Sequence, residues 1–168
     1  MNDIRIDVAT AEDAEAFLAS AVALVTTDAG RYDAQATDVG WATRTGAAYV
    51  AGALSGANIV LLARDGDTIT GHLVGRMYGP TSVHPVRRAD IESIHVYPEH
   101  RGTGIGSRLV EAFFAWAAEH GAVRVSVTAF AANEAALRFY ARHGFAVRSV
   151  VHDRWIGPMS EGSGKNVA

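Results

Sequence analysis

With 168 residues, 49% hydrophobic and 20% charged, the chain suits one soluble domain able to bury about 70% of its unfolded surface. A net charge of −3 excludes a general nucleic-acid or membrane-surface binder, so an anion would have to be held by local groups. The complete lack of cysteine excludes disulfides, thiolate metal sites and cysteine nucleophiles.

Residues 1–7 alternate polar and apolar and lack the apolar core of a signal peptide. No apolar run approaches the roughly 20 residues of a membrane span, so cytoplasmic residence is the default expectation. Ile4, Ile6 and Val8 alternate with Arg5 and Asp7 as a first strand. Thr10 to Asp13 reads as a capping-box variant, opening a helix with Ala14, Phe17, Leu18, Ala21 and Val25 on one face. A loop-like stretch over 26–37 leads to a second helix over 38–54, anchored by Trp41, Tyr49 and Leu54 and weakened by Gly46 and Gly52. Residues 59–63 form an apolar strand, and Asp65-Gly66 turns it into a hairpin with 68–78.

After a loop punctuated by Gly79-Pro80 and His84-Pro85, a strand over 90–96 ends at Tyr97-Pro98. A glycine-rich turn follows, and then a helix over 108–120 whose apolar face is Ile105, Leu109, Phe113, Trp116 and Ala117, ended by Gly121. Val123, Val125 and Val127 alternate as a strand running toward Phe130. A helix over 133–142 follows, with Gly144 at its C′ position. Residues 145–155 read as closing strand or strands, and 157–168 as a polar, disordered tail. The expectation is one mixed α/β domain over 1–156, in the order β-α-α-β-β-β-α-β-α-β.

The most informative stretch is Arg101-Gly102-Thr103-Gly104-Ile105-Gly106-Ser107. Three glycines at every second position let the backbone bend tightly and approach another group closely. The helix behind them leaves its first N–H groups unpaired and carries about half a positive charge there. Such a turn suits an anion, most of all a pyrophosphate. A P-loop is excluded because Ser107-Arg108 follows the last glycine, and Lys165 is the one lysine in the chain. The dinucleotide fingerprint is excluded by the G-x-G-x-G spacing and by the lack of an acidic residue near 123–127. The competing reading is that the glycines serve tight strand-to-helix packing.

Three segments in order resemble the GNAT superfamily of acyl-CoA-dependent N-acyltransferases. They are Ile91 to Pro98 with the Arg101 to Gly106 loop, Ala129 to Ala136 with its Asn-led helix, and Phe139 to Phe145. Together they span residues 89–147. The resemblance implies a single α/β (α+β) domain: a mixed, mostly antiparallel sheet with helices on both faces, and a central parallel pair splayed to hold acetyl-CoA. The histidines, His72 and His84 included, show no metal-ligand spacing, so no metal is expected.

By that resemblance the amides of Gly102, Thr103, Gly104, Ile105, Gly106 and Ser107 bind the CoA pyrophosphate. Arg101 adds charge or ties down the loop. Backbone groups of Ile94, His95 and Val96 pair with pantetheine as an added strand does. Asn133 is an N-cap worth about 1 kcal/mol and, by resemblance, a pantetheine contact. Tyr140, two turns beyond Asn133, is a core aromatic or, by resemblance, the proton donor to the departing thiolate. Glu92 is the leading candidate base, acting directly or through water, unless strand parity sends it elsewhere and no bulge re-aims it. His95 is the second candidate and Asp90 the third. The amine can also lose its proton to water, leaving orientation and oxyanion hydrogen bonds to the site.

The activity implied is acetyl transfer from acetyl-CoA to a primary amine by direct attack. The alternative is a CoA-binding sensor or partner domain without chemistry. The partners expected are a small-molecule or peptide amine and at most a second copy of the chain, with neither nucleic acid nor membrane. The acceptor itself is not written in the sequence.

Overall fold

The computed structural model describes residues 4–157. Five strands form one sheet in the order β1-β2-β3-β4-β5: β1 (Ile4–Val8), β2 (Asn58–Asp65), β3 (Thr68–Tyr78), β4 (Arg88–Val96) and β5 (Arg124–Val127). All neighbours are antiparallel except β4 and β5, which run parallel. The helices are α1 (Ala14–Thr27), the single turn α2 (Ala29–Tyr32), α3 (Ala42–Ala53), α4 (Ile105–Glu119) and α5 (Glu134–Arg142).

The apolar run of β2 has no polar side because both of its faces are covered. Ile59, Leu61 and Ala63 point to one face, where Leu109, Phe113 and Ala117 of α4 complete a core. Val60 and Leu62 point to the other, where Phe17 and Ala21 of α1 and Val50 and Ala53 of α3 form a second core. Phe17, Phe113 and Leu62 are fully buried, each worth about 1.5–3 kcal/mol in apolar transfer. Two hydrogen-bonded anchors fix where α1 starts. The Thr10 amide donates to Asp13 at 2.9 Å, and Arg64 of β2 donates to the same carboxylate at 2.5 Å. The Thr10 amide, followed by Arg64, holds the Asp13 carboxyl below its usual value.

Helix α4 starts at Ile105, three residues before the expected 108, so the last three residues of the glycine turn already belong to its first turn. Helix α3 occupies only Ala42–Ala53 of the expected 38–54, with residues up to Trp41 in turns. At the end of α5, Gly144 adopts φ +81°. Its N–H donates to Ala141 O and that of Phe145 to Tyr140 O, the paired bonds of a Schellman ending.

One expectation is overturned. No closing strand forms over 145–155; the segment is irregular, and Val147, Val150, Val151 and Ile156 are exposed. Phe145, Val147, Val151 and Trp155 share one side, but Ser149 and Asp153 interrupt it and Val150 falls on the other, so no unbroken apolar face is available for a strand to bury. The expected tail lies outside the described residues from 158 onward.

Candidate active site

Between β4 and α4 the backbone itself makes a site. Gly102 and Gly104 hold φ of +76° and +86°, where an L side chain costs about 1–2 kcal/mol. Nothing lies within 4 Å of a Cβ built on either, so conformation and not crowding requires glycine there. Gly106 is different: its Cβ would sit 3.3 Å from the Phe139 ring, so it is a packing glycine between α4 and α5. The anion and packing readings of the motif therefore hold at different glycines. Gly104 caps α4 without a side chain, and the amides of Gly102 through Ser107 find no acceptor among the described residues. Arg101 takes the fastening role, its Nε donating to Val96 O at 2.9 Å. Thr103 Oγ1 donates to His100 O at 2.6 Å, and Ser107 Oγ lies 3.0 Å from His143 Nε2 of α5.

This loop stands at the end of a gap in the sheet. Strand β4 pairs with β3 as far as Val96, but with β5 only as far as Ile91, opposite Val127. Over residues 92–96 the side of β4 that faced β5 is left without a strand. The backbone of Ile94, His95 and Val96 thus borders the opening, as expected of a parallel pair that splays.

A β-bulge decides what lines the opening. Val74 pairs with Ser93 and Gly75 with Ile91, so Glu92 is the extra residue. Without the bulge, Glu92 would share a face with Ile94 and Val96, which pack against the α4 core. With it, Glu92 and Ser93 both turn to the α1 side and line a cavity of about 360 Å³. The Tyr78 hydroxyl donates to Glu92 Oε1 at 3.0 Å, and Arg76 lies 3.9 Å from the same oxygen. Asp90 instead faces Arg88 at 3.5 Å.

Behind Ser93 runs a buried polar chain. His72 is fully buried, its Nδ1 2.7 Å from Ser20 Oγ and its Nε2 3.2 Å from Ser93 Oγ. Burial pulls the His72 ring down to about 3, with His95 adding to the effect, so the ring is neutral, one nitrogen donating and the other accepting. His95 is 3% exposed and its Nε2 has no partner among the described residues. Burial, followed by Arg101, lowers it to about 4. It is enclosed between His72 and Tyr97, at ring separations of 6.0 and 5.0 Å, a placement that suits packing more than proton exchange with a substrate.

On the far side of the gap, α5 carries Tyr140. Burial, with the Asp28 carboxylate adding, pushes its phenol up to about 12, which keeps it protonated at neutral pH. Asn133 caps α5, its Oδ1 accepting from Ala136 N at 3.1 Å. Its Nδ2 donates to Asp28 Oδ1 at 3.0 Å, so the side-chain amide is committed at both ends. Asp28 is the site residue that sequence reasoning missed. It joins α1 to α2, lines the same cavity as Glu92, and acts on Tyr140. Its partner Asn133 is 105 positions away, and no local pattern marks such a pairing.

Among the described residues no His, Asp and Glu grouping could hold a metal ion, and no helix is long and apolar enough to cross a membrane. A profile described as the acetyltransferase (GNAT) family matches residues 29–145, more than half of the chain. No curated protein matches the sequence. Among solved structures, a transcriptional regulator from Bacillus halodurans C-125 is similar at 24% identity and a TM-score of 0.72, covering 91% of this chain and 99% of its own. A ribosomal-protein-alanine N-acetyltransferase from Brucella melitensis biovar Abortus 2308 is similar at 20% identity and a TM-score of 0.68, covering 92% and 99%. An aminoglycoside acetyltransferase from an uncultured soil metagenomic sample, in complex with trehalose, is similar at 21% and 0.71, covering 94% and 98%. At these identities the likeness shows the fold alone.

Proposed function

The chain belongs to the GNAT acetyltransferase family, and from that premise we propose that it moves an acetyl group from acetyl-CoA to a primary amine by direct attack in a ternary complex. The observation that carries this reading is the parallel pair opening at Ile91 and Val127, with six amides lacking acceptors at the far end of the opening. A diphosphate fits those amides because it brings acceptors and negative charge to a helix N-terminus. The backbone of Ile94, His95 and Val96 would hold the pantetheine arm as an added strand. Bound there, acetyl-CoA supplies an acetyl thioester; the remaining work falls to side chains.

Tyr140 is the donor. A phenol held at about 12 keeps its proton and can hydrogen-bond a sulfur that gains negative charge. Glu92 is the acceptor of the amine's proton. The bulge brings its carboxylate to the cavity, and the Tyr78 hydrogen bond holds it in place. No step needs an acyl-enzyme, and the chain has no cysteine to form one on. Asn133, engaged by the cap and by Asp28, serves the architecture in this reading.

The test is thiol release from acetyl-CoA in the presence of a broad amine panel. Release that depends on an added amine, with the acetylated amine found by mass spectrometry, supports the proposal. CoA binding with no turnover for any amine would replace it with a CoA-binding partner domain.

A further inference from the structure

We infer that the acceptor is a small cationic amine with an apolar body and no carboxylate of its own, seated between Asp28 and Glu92. The inference rests on the transferase reading and narrows its substrate. The cavity beside the splay has a volume of about 360 Å³, at the low end of the range for small-molecule sites. Leu24, Val25, Trp41 and Tyr49 form its apolar wall. Trp41 and Tyr49 meet edge to face at 5.0 Å, presenting aromatic surface of the kind that attracts cations.

Charge sets the class. Asp28 and Glu92 both line the cavity, and no lysine, arginine or histidine does. Arg76 approaches Glu92 at 3.9 Å with half of its side chain exposed, so it offsets that carboxylate only in part. Asp28 has a neutral partner, the Asn133 amide, and forms no ion pair among the described residues. A cleft lined by one sign of charge between apolar walls concentrates the opposite ion and repels its own. A protonated alkyl or arylalkyl amine satisfies the carboxylates and the apolar wall together. An α-amino acid brings a carboxylate for which the cavity offers no cation.

Asp28 also has a position that Glu92 lacks. It is the carboxylate whose charge acts on Tyr140, and it is hydrogen-bonded to the cap of the helix that carries Tyr140. Asp28 therefore links the cavity to the helix that carries the proposed proton donor. Stacking of Tyr32 on Phe130, at 5.7 Å, ties α2 to the chain leaving β5 and keeps Asp28 beside the opening.

The experiment uses a matched pair, phenethylamine and phenylalanine, which differ by one carboxylate. Calorimetry on the full chain saturated with CoA reads binding, and acetyl-CoA turnover is followed in parallel. Phenethylamine should bind at least about tenfold more tightly than phenylalanine, since like charges brought together in an enclosed site are strongly disfavoured. Asp28→Asn, whose amide oxygen can still accept from Asn133, should bring that ratio toward one and leave CoA affinity unchanged. Equal or tighter binding of phenylalanine, or an unchanged ratio in a folded Asp28→Asn, overturns the inference while turnover keeps the transferase reading. Selective amine binding without turnover of any amine retains the charge selection and overturns the transferase reading. Binding of neither compound overturns the inference.

Discussion

The two sides of the opening in the sheet are built on different principles. On the α4 side, six consecutive residues make a site out of backbone, and two left-handed glycines set its shape. On the α1 side, the cavity is assembled from side chains between Ala21 and Ser93, and its edge is fastened to Asn133. The loop's chemistry lies in amides that every residue carries, so it depends on conformation. The cavity's chemistry lies in which side chains packing brings together. A backbone site tolerates sequence change wherever φ is preserved; a side-chain site changes its ligand with a single substitution.

The sharpest way to break that contrast is at the glycines. Gly104→Val should reduce CoA affinity about 10³-fold or more, because it moves φ out of +86° and disperses amides worth about 1.5–3 kcal/mol each toward a charged group. The strained backbone should cost about 1–2 kcal/mol of stability, a fall in melting temperature of roughly 2–8 °C that leaves the protein folded. Gly106→Ala is the control. Its methyl would sit 3.3 Å from the Phe139 ring, a crowding offset by the roughly 1 kcal/mol that alanine gains over glycine in a helix, so stability should change little, with a far smaller loss of CoA affinity. Wild-type calorimetry from folded Gly104→Val would sink the backbone-site reading.

Across the gap, Tyr140→Phe should lower kcat by about 10²-fold with acetyl-CoA affinity unchanged, since only the departing sulfur loses a donor. An unaltered kcat, with chemistry shown to be rate-limiting, would return Tyr140 to packing with Phe139 and Phe145. Glu92→Gln should cost about tenfold in kcat/KM near neutral pH and less above the amine's own pKa, where the free amine needs no base. A loss that is even across pH would assign Glu92 to binding, with proton release to water.

How much of this could be read from the sequence follows the same division. Every sheet strand up to β5 was visible in its period or turn residues, because Val60 and Leu62 against Ile59 and Leu61, or Asp65-Gly66, act locally. The glycine turn was visible because positive φ is a property of single residues. The expected closing strand does not form, because Ser149 and Asp153 break the side shared by Phe145, Val147, Val151 and Trp155. Glu92 was named as a candidate, but its direction rests on one inserted residue in the β3–β4 register, which no pattern within β4 records. Asp28 was missed because what marks it is contact with Asn133 and Tyr140 across the fold.

The smallest effect separates the two sides by their response to acid. His72 lies beneath the cavity and joins Ser20 of α1 to Ser93 of β4, whereas the histidine bonded to the glycine loop, His143 beside Ser107, is only half-buried. The His72 folded value of about 3 lies below the unfolded value near 6.5, so between those limits the unfolded chain binds more protons. The stability held by the neutral ring is therefore complete above about pH 6.5 and falls as the pH drops toward 3. The slope is at most about 1.4 kcal/mol per pH unit for one proton, and His95, lowered to about 4, adds to it over a shorter range. Urea unfolding at pH 7, 6 and 5 should show a declining midpoint. His72→Gln should flatten that decline even if it is less stable at pH 7, because the amide has nothing to titrate. Hydrogen exchange at pH 5 should open the amides of α1 and β3 before those of α4. Equal loss of protection in α1 and α4 would mean that the two sides unfold as one unit and that the polar chain behind Ser93 does not govern the acceptor side.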